Sequence, residues 1–172
     1  MLKRFFSCNC RGFALAIPVL GAFALAYWFQ PVHSADPDAT NAMIGTCVDR
    51  ERAAGRSGRA CIGRISGPCK ASPENIHRDD KMQCDEREFV LWSQLVQKEL
   101  AALEKLLSPE QLEKLRQSQS LWIKYQSDDC RLPYVFFSQG EAEISGPSCT
   151  IELKAARALQ LRAWRDALKR GQ

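Results

Sequence analysis

Histidine is almost missing from this sequence, with two in 172 residues. His33 falls in an N-terminal leader, which leaves His77 to the rest of the chain. A serine or cysteine nucleophile needs a base within hydrogen-bond reach, normally histidine. His77 stands in a polar stretch beside Arg78, Asp79 and Asp80, where an exposed histidine without a chemical task is expected. Also lacking are a Gly-x-Ser-x-Gly elbow, a phosphate-binding glycine loop and the paired histidines of a zinc helix. No Cys-x-x-Cys pair occurs, so the close ligand spacing of structural zinc is absent. The expectation is a chain with no catalytic residues, no metal and no cofactor.

The acidic clusters fit that expectation. Glycosidases need two carboxylates on opposite sides of one bond. Asp128 and Asp129 are adjacent, and on a helix they point about 100° apart. Asp79 and Asp80 sit in the polar stretch. Asp85, Glu86 and Glu88 fall near the start of a helix, where acids favour its dipole. No small-molecule substrate is implied.

Uncharged sequence is concentrated at the N-terminus. Lys3, Arg4 and Arg11 precede an almost uncharged run over 12–32, whose apolar heart from Phe13 to Phe29 contains Pro18. A basic flank, an apolar middle and small residues at its end (Val32, Ser34, Ala35) form the pattern of a secretory signal peptide, 1–34, cleaved after Ser34. An uncleaved anchor is the alternative, and only then would the protein be held to a membrane. Cys8 and Cys10 precede the apolar run, whereas a lipidated cysteine would follow it. Taking three basic residues from 24 leaves 21 Lys+Arg against 20 Asp+Glu. That balance gives no concentrated basic face for nucleic acid.

Six cysteines remain beyond the leader: Cys47, Cys61, Cys69, Cys84, Cys130 and Cys149. An even number in a short exported chain reads as a disulfide framework and places the protein in the periplasm or outside the cell. Six cysteines permit 15 connectivities. Cys130 closes one expected helix and Cys149 opens the next, which ranks that pair first together with the near neighbours Cys61 and Cys69. Cys47–Cys84 is left by elimination.

Periodicity supplies the helices. A first one carries Met43 and Cys47 and ends at Gly55. The stretch 55–81, rich in Gly, Pro, Ser and Asn, reads as a loop. Phe89, Trp92, Val96, Leu100, Leu103 and Leu107 then draw one apolar stripe. Ser108-Pro109-Glu110-Gln111 is a capping box with proline at the first helical position, starting the next helix so soon that the two should form an antiparallel hairpin. Leu112, Leu115, Gln119, Trp122 and Ile123 mark the inner face of that helix. Pro133, Gly140, Gly146 and Pro147 break the pattern between 131 and 148. A final helix, capped by Ser148 or Thr150, runs through Ile151, Ala155, Ala158, Leu161 and Leu168. The fold expected is all-α, a small helical-hairpin bundle of about four helices with long loops, stapled by disulfides. It divides into an N-terminal helix and Cys-containing loop (35–83) and a helical domain (84–169).

Several of these residues form a pattern. Cys84, Glu88 and Trp92 open one helix. Leu115-Arg-Gln-Ser-Gln119-Ser-Leu-Trp122-Ile-Lys-Tyr125 runs into Asp129-Cys130, and Cys149, Arg157-Ala158 and Leu161 follow. This resembles the N-terminal domain of the LprI-like lysozyme-inhibitor family. Cys61-Ile62-Gly63 with Cys69 is similar to an extension seen in some relatives. The chain departs at Gln126-Ser127, where an Arg-Asp pair usually follows the aromatic, and after Trp92, where an Asp is usual. The resemblance implies a periplasmic helical domain in which Trp92, Gln119, Trp122, Tyr125 and Arg157 are structural, and a lysozyme-type protein as partner. A non-inhibitory envelope stress or scaffold protein is the alternative.

Two expectations concern single sites. Trp122, on the inner face of its helix, should pack in the core, so that its truncation costs about 3–5 kcal/mol. The loop 131–148 presents Tyr134, Phe136 and Phe137 beside Glu141 and Glu143, an aromatic anchor with an acidic rim suited to a basic partner. The plainer reading is that these aromatics only cap the hairpin.

Overall fold

Local signals start most of the helices. In the computed structural model, which describes residues 37–171, Ser108 and Gln111 form the reciprocal cap expected of them. The Ser108 N–H donates to Gln111 Oε1 (2.9 Å) and the Gln111 N–H to Ser108 Oγ (3.3 Å). Four long helices carry the fold: α1 (Pro37–Ala53), α3 (Arg78–Glu104), α4 (Pro109–Asp129) and α6 (Gln139–Arg170). A 3-10 turn (Arg59–Cys61) and the short α2 (Ser66–Ala71) lie between α1 and α3, and the single-turn α5 (Pro133–Phe136) between α4 and α6. Among the described residues there is no strand, and no helix is long and apolar enough to cross a membrane. The leader expected over 1–34 lies outside the described residues.

α3 and α6 make the main packing pair and run in the same direction. The start of α3 (Met82, Phe89) meets the start of α6 (Gly146, Pro147), while Leu103 meets Leu168 near their ends. α4 returns antiparallel alongside this pair. Glu104 pairs with Arg116 near the α3–α4 turn, Gln119 reaches Arg157, and Cys130 comes back to the level of Phe89. The core is built from Ile44 and Val48 of α1, Leu91, Trp92, Leu95, Val96 and Leu103 of α3, Leu115 of α4, and Ile151, Ala155, Ala158, Leu159 and Leu161 of α6. Met43, expected on the inner face of α1, is exposed; its neighbour Ile44 points inward with Val48 four residues on. Gly55 does end α1, in a left-handed conformation (φ 72°). Ile123, expected on the inner face of α4, is exposed as well.

The stretch 55–81 holds structure that its composition hid. Its order comes from the Glu88 side chain, fully buried on α3. The Glu88 carboxylate accepts N–H bonds from Gly63 (2.6 Å), Ser66 (2.8 Å) and Ile65 (3.1 Å), and a fourth from the Trp92 indole (3.1 Å). These donors leave the buried charge well solvated by protein, as burial of a charge requires. Burial alone raises this carboxyl, but the Ser66 and Gly63 N–H groups and the Trp92 indole outweigh it, and its pKa falls below the ordinary 4.5.

The disulfides are Cys47–Cys61, Cys69–Cys84 and Cys130–Cys149. The expected Cys61–Cys69 and Cys47–Cys84 pairs are therefore incorrect. Cys61 closes the 3-10 turn facing α1, and Cys69 lies on α2 facing α3, so each cysteine meets the helix beside it rather than its nearest neighbour in the loop. Loops of this length stabilise by about 3 kcal/mol each in the chain-entropy model.

The expected loop over 131–148 is also corrected. Ser138 caps a helix that starts at Gln139 and runs through Gly140, Gly146 and Pro147, and no new cap is used at Ser148 or Thr150. Instead Ser145, Ser148 and Thr150 donate their hydroxyls to the carbonyls of Glu141, Ile144 and Gly146. Proline removes one helical N–H bond, and the packing of the rest of α6 carries that defect.

Glu88 gives a prediction with a fixed sign in pH. Its folded pKa is depressed, so its contribution is fully present above 4.5 and is lost as pH falls through the lower folded value. Glu88→Gln should cost about 2–4 kcal/mol at pH 7, because an amide N–H must then face backbone N–H groups. In urea melts the gap between wild type and variant should narrow below pH 4.5. A gap independent of pH would remove the charged grip as its cause.

Candidate functional site

α5 is short because Pro133 fixes its first turn and Phe137 leaves it in an extended conformation. The Cys130–Cys149 bridge clamps this turn to α6 immediately before it begins. Tyr134, itself 54% exposed, lays one edge of its ring across Gly146 of α6. A Cβ at position 146 would stand 2.5 Å from the Tyr134 ring, so the absence of a side chain there permits the contact. The residues after Tyr134 have no such seat. Val135 is 73% exposed, Phe136 66% and Phe137 53%. The two phenylalanine rings meet edge to face, 6.4 Å between centroids. Leu132 and Ile144 are exposed in the same part of the chain. The large apolar side chains of α5 stand in water on a turn that the Cys130–Cys149 bridge ties to α6.

The acids expected to rim this surface are engaged elsewhere. Glu141 closes the α6 cap, accepting from the Ser138 hydroxyl (2.7 Å) and N–H (3.2 Å), and those bonds hold its carboxyl below the usual glutamate value. Glu143 pairs with Arg78 (2.7 Å) and accepts from Gln139. Both positions belong to the first turns of a helix, where acids satisfy N–H groups, and reading them as part of a loop concealed this. Asp129 accepts from the Tyr125 hydroxyl, and its charge pushes that phenol up.

A second cluster joins α4 to α6. Arg157 is buried, with Nε donating to Gln119 Oε1 (2.9 Å) and Nη1 to Gln160 (2.7 Å). Its guanidinium lies over the rings of Trp122 (5.8 Å) and Trp164 (5.3 Å). Lys154 lies over Trp122 (5.0 Å) and Phe89 (5.2 Å). Burial lowers the pKa of both cations. The structure thus gathers Gln119, Trp122 and Arg157 into one unit, places Trp92 apart in the core against Glu88, and leaves Tyr125 on the surface. Trp122 is half-buried, not a core residue as expected, because the chains above it are cations reaching out from α6. Lys154 was missed, although it stands three before Arg157, and Trp164 seven after it, at helical spacing on one face.

Among the described residues no group of three or more His, Cys, Asp or Glu could hold a metal ion. His77 is exposed at the start of α3, its backbone N–H donating to Asp80.

The packing separates the two tryptophans. Trp122→Ala should cost only about 1–2 kcal/mol, the worth of partial burial plus its cation–π contacts. Trp92→Ala should cost about 3–5 kcal/mol. Guanidinium denaturation of the two variants checks the order, and equal losses would contradict it.

A family model described as lysozyme inhibitor LprI matches residues 69–161, more than half of the chain. The matched span begins at Cys69 of α2 and takes in α3, α4, α5 and most of α6, with the Cys69–Cys84 and Cys130–Cys149 bridges. No curated protein and no solved structure matches the chain. The aromatic turn and the Gln119–Arg157 unit both lie within the matched span, and the chain belongs to the LprI lysozyme inhibitor family.

Proposed function

We propose that this protein is exported, through cleavage after Ser34, and that it binds a lysozyme or related muramidase and blocks it without catalysing a reaction. Membership of an inhibitor family supports the activity, and three disulfides support an oxidising periplasmic or extracellular setting. The observation that carries the reading is the exposed apolar run of α5. Tyr134, Val135, Phe136 and Phe137 are all more than half exposed on a turn that the Cys130–Cys149 bridge holds in place. Water-exposed aromatics on a preorganised element lose little entropy on docking and make strong anchors. The segment 35–83 serves in this reading as an N-terminal extension that braces α3 and α6.

The function is tested by clearance of a cell-wall suspension by lysozyme, with and without the purified disulfide-bonded protein. The wild type should slow clearance in proportion to its concentration. Replacing Phe136 and Phe137 together by Ser should weaken inhibition by about tenfold or more, as loss of interface anchors does. The melting temperature should stay near that of the wild type, since neither ring is buried. A wild type that leaves clearance unchanged sinks the activity, and a fully inhibitory double variant sinks the docking turn.

A further inference from the structure

Beside the exposed turn lies a pocket of about 260 Å³ between α3, α5 and α6. Ile151, Gly146 and Cys130 line it from the core side, and Phe89 and Tyr134 supply aromatic walls. Two acids, Asp85 and Glu86, also line it, one turn before Phe89 on α3, and no lysine or arginine does. The two acids differ in their bonding. Asp85 accepts from Lys70 (2.6 Å) and ties α2 to α3. Glu86 is exposed and, among the described residues, has neither an ion-pair nor a hydrogen-bond partner. Lys154 lies over the Phe89 ring but is not among the residues lining the pocket, and it is shared with Trp122.

We propose that this pocket receives a lysine or arginine side chain presented by the partner, its stem against Phe89 and Tyr134 and its charge paired with Glu86. An apolar recess with unpaired acid at its edge selects a long aliphatic stem with a cationic end over a purely apolar or an anionic side chain. The size suits one side chain rather than a helix or a peptide strand. Tyr134 belongs to both the pocket and the exposed run, so an occupant would extend the surface already assigned to docking. The identity of the protein carrying that side chain rests on the proposed lysozyme inhibition; the preference of the pocket does not.

The test is an NMR titration of the purified protein with Nα-acetyl-lysine amide and Nα-acetyl-arginine amide, with Nα-acetyl-norleucine amide as the uncharged control. The basic probes should shift signals of Met82, Phe89, Tyr134 and Gly146. Glu86→Gln should weaken their binding by about fivefold and leave the melting temperature unchanged, since Glu86 holds no contact of the fold. Norleucine amide binding as well as the basic probes would assign the pocket to an apolar occupant and overturn the proposal. So would basic probes that shift nothing there, or pocket signals that move with protein concentration alone, the mark of a second copy. Probe binding with no inhibition of lysozyme removes the proposed function and keeps the pocket. Inhibition that Glu86→Gln leaves intact, with no probe binding, does the reverse.

Discussion

A single buried carboxylate organises the N-terminal half of the described structure. Glu88 cannot remain charged inside the protein without donors, and α3 by itself offers only the Trp92 indole. The remaining donors come from backbone N–H groups of a segment poor in large apolar residues. The dependence runs in both directions. The segment folds onto α3 because Glu88 orders it, and Glu88 is tolerated because the segment surrounds it. Trp92, oriented by the same carboxylate, then fills the centre of the core. Cys47–Cys61 and Cys69–Cys84 fasten the segment on either side of this grip.

A second buried acid links three helices. Glu99 of α3 is fully enclosed and faces Arg162 and Arg165 of α6. Arg162 continues to Asp49 on α1 (2.6 Å), and Arg52 on α1 reaches Asp166 (2.8 Å). Glu99 Oε1 and Arg162 Nε are 3.5 Å apart, an ion pair without a well-formed hydrogen bond. Buried pairs of this kind add little net stability over apolar packing, but removing one partner leaves a costly uncompensated charge. Their value here is positional. With Ile44 and Val48 in the core and the Cys47–Cys61 bridge, the two ion pairs to α6 hold α1 in place.

What could be read in advance follows from which interactions are local. The Ser108–Gln111 cap, the α3 stripe and the α6 face from Ile151 to Leu168 depend on residues within one or two turns, and all three appear as expected. Pro147, Gly140 and Gly146 suggested a break because each disfavours a helix locally, but the seat of Tyr134 on Gly146 and the clamp at Cys149 are tertiary. The same limit hid Glu88 and Glu99, whose charges place them on the outside in any periodicity argument. Trp122 was placed too deep because a pattern of apolar positions cannot show that Lys154 and Arg157 will occupy the space above it. Pairing of Cys47, Cys61, Cys69 and Cys84 depended on how a segment without periodicity folds, which spacing alone does not determine.

The order of the bridges has a consequence for how the molecule is made. Among these six cysteines the first joins the second, the third the fourth and the fifth the sixth. No bridge encloses another cysteine of the set, and no two bridges interleave. A chain that enters an oxidising compartment N-terminus first can therefore close each pair before the next thiol arrives. Oxidation in order of arrival yields the native set, with no wrong pair left to reshuffle.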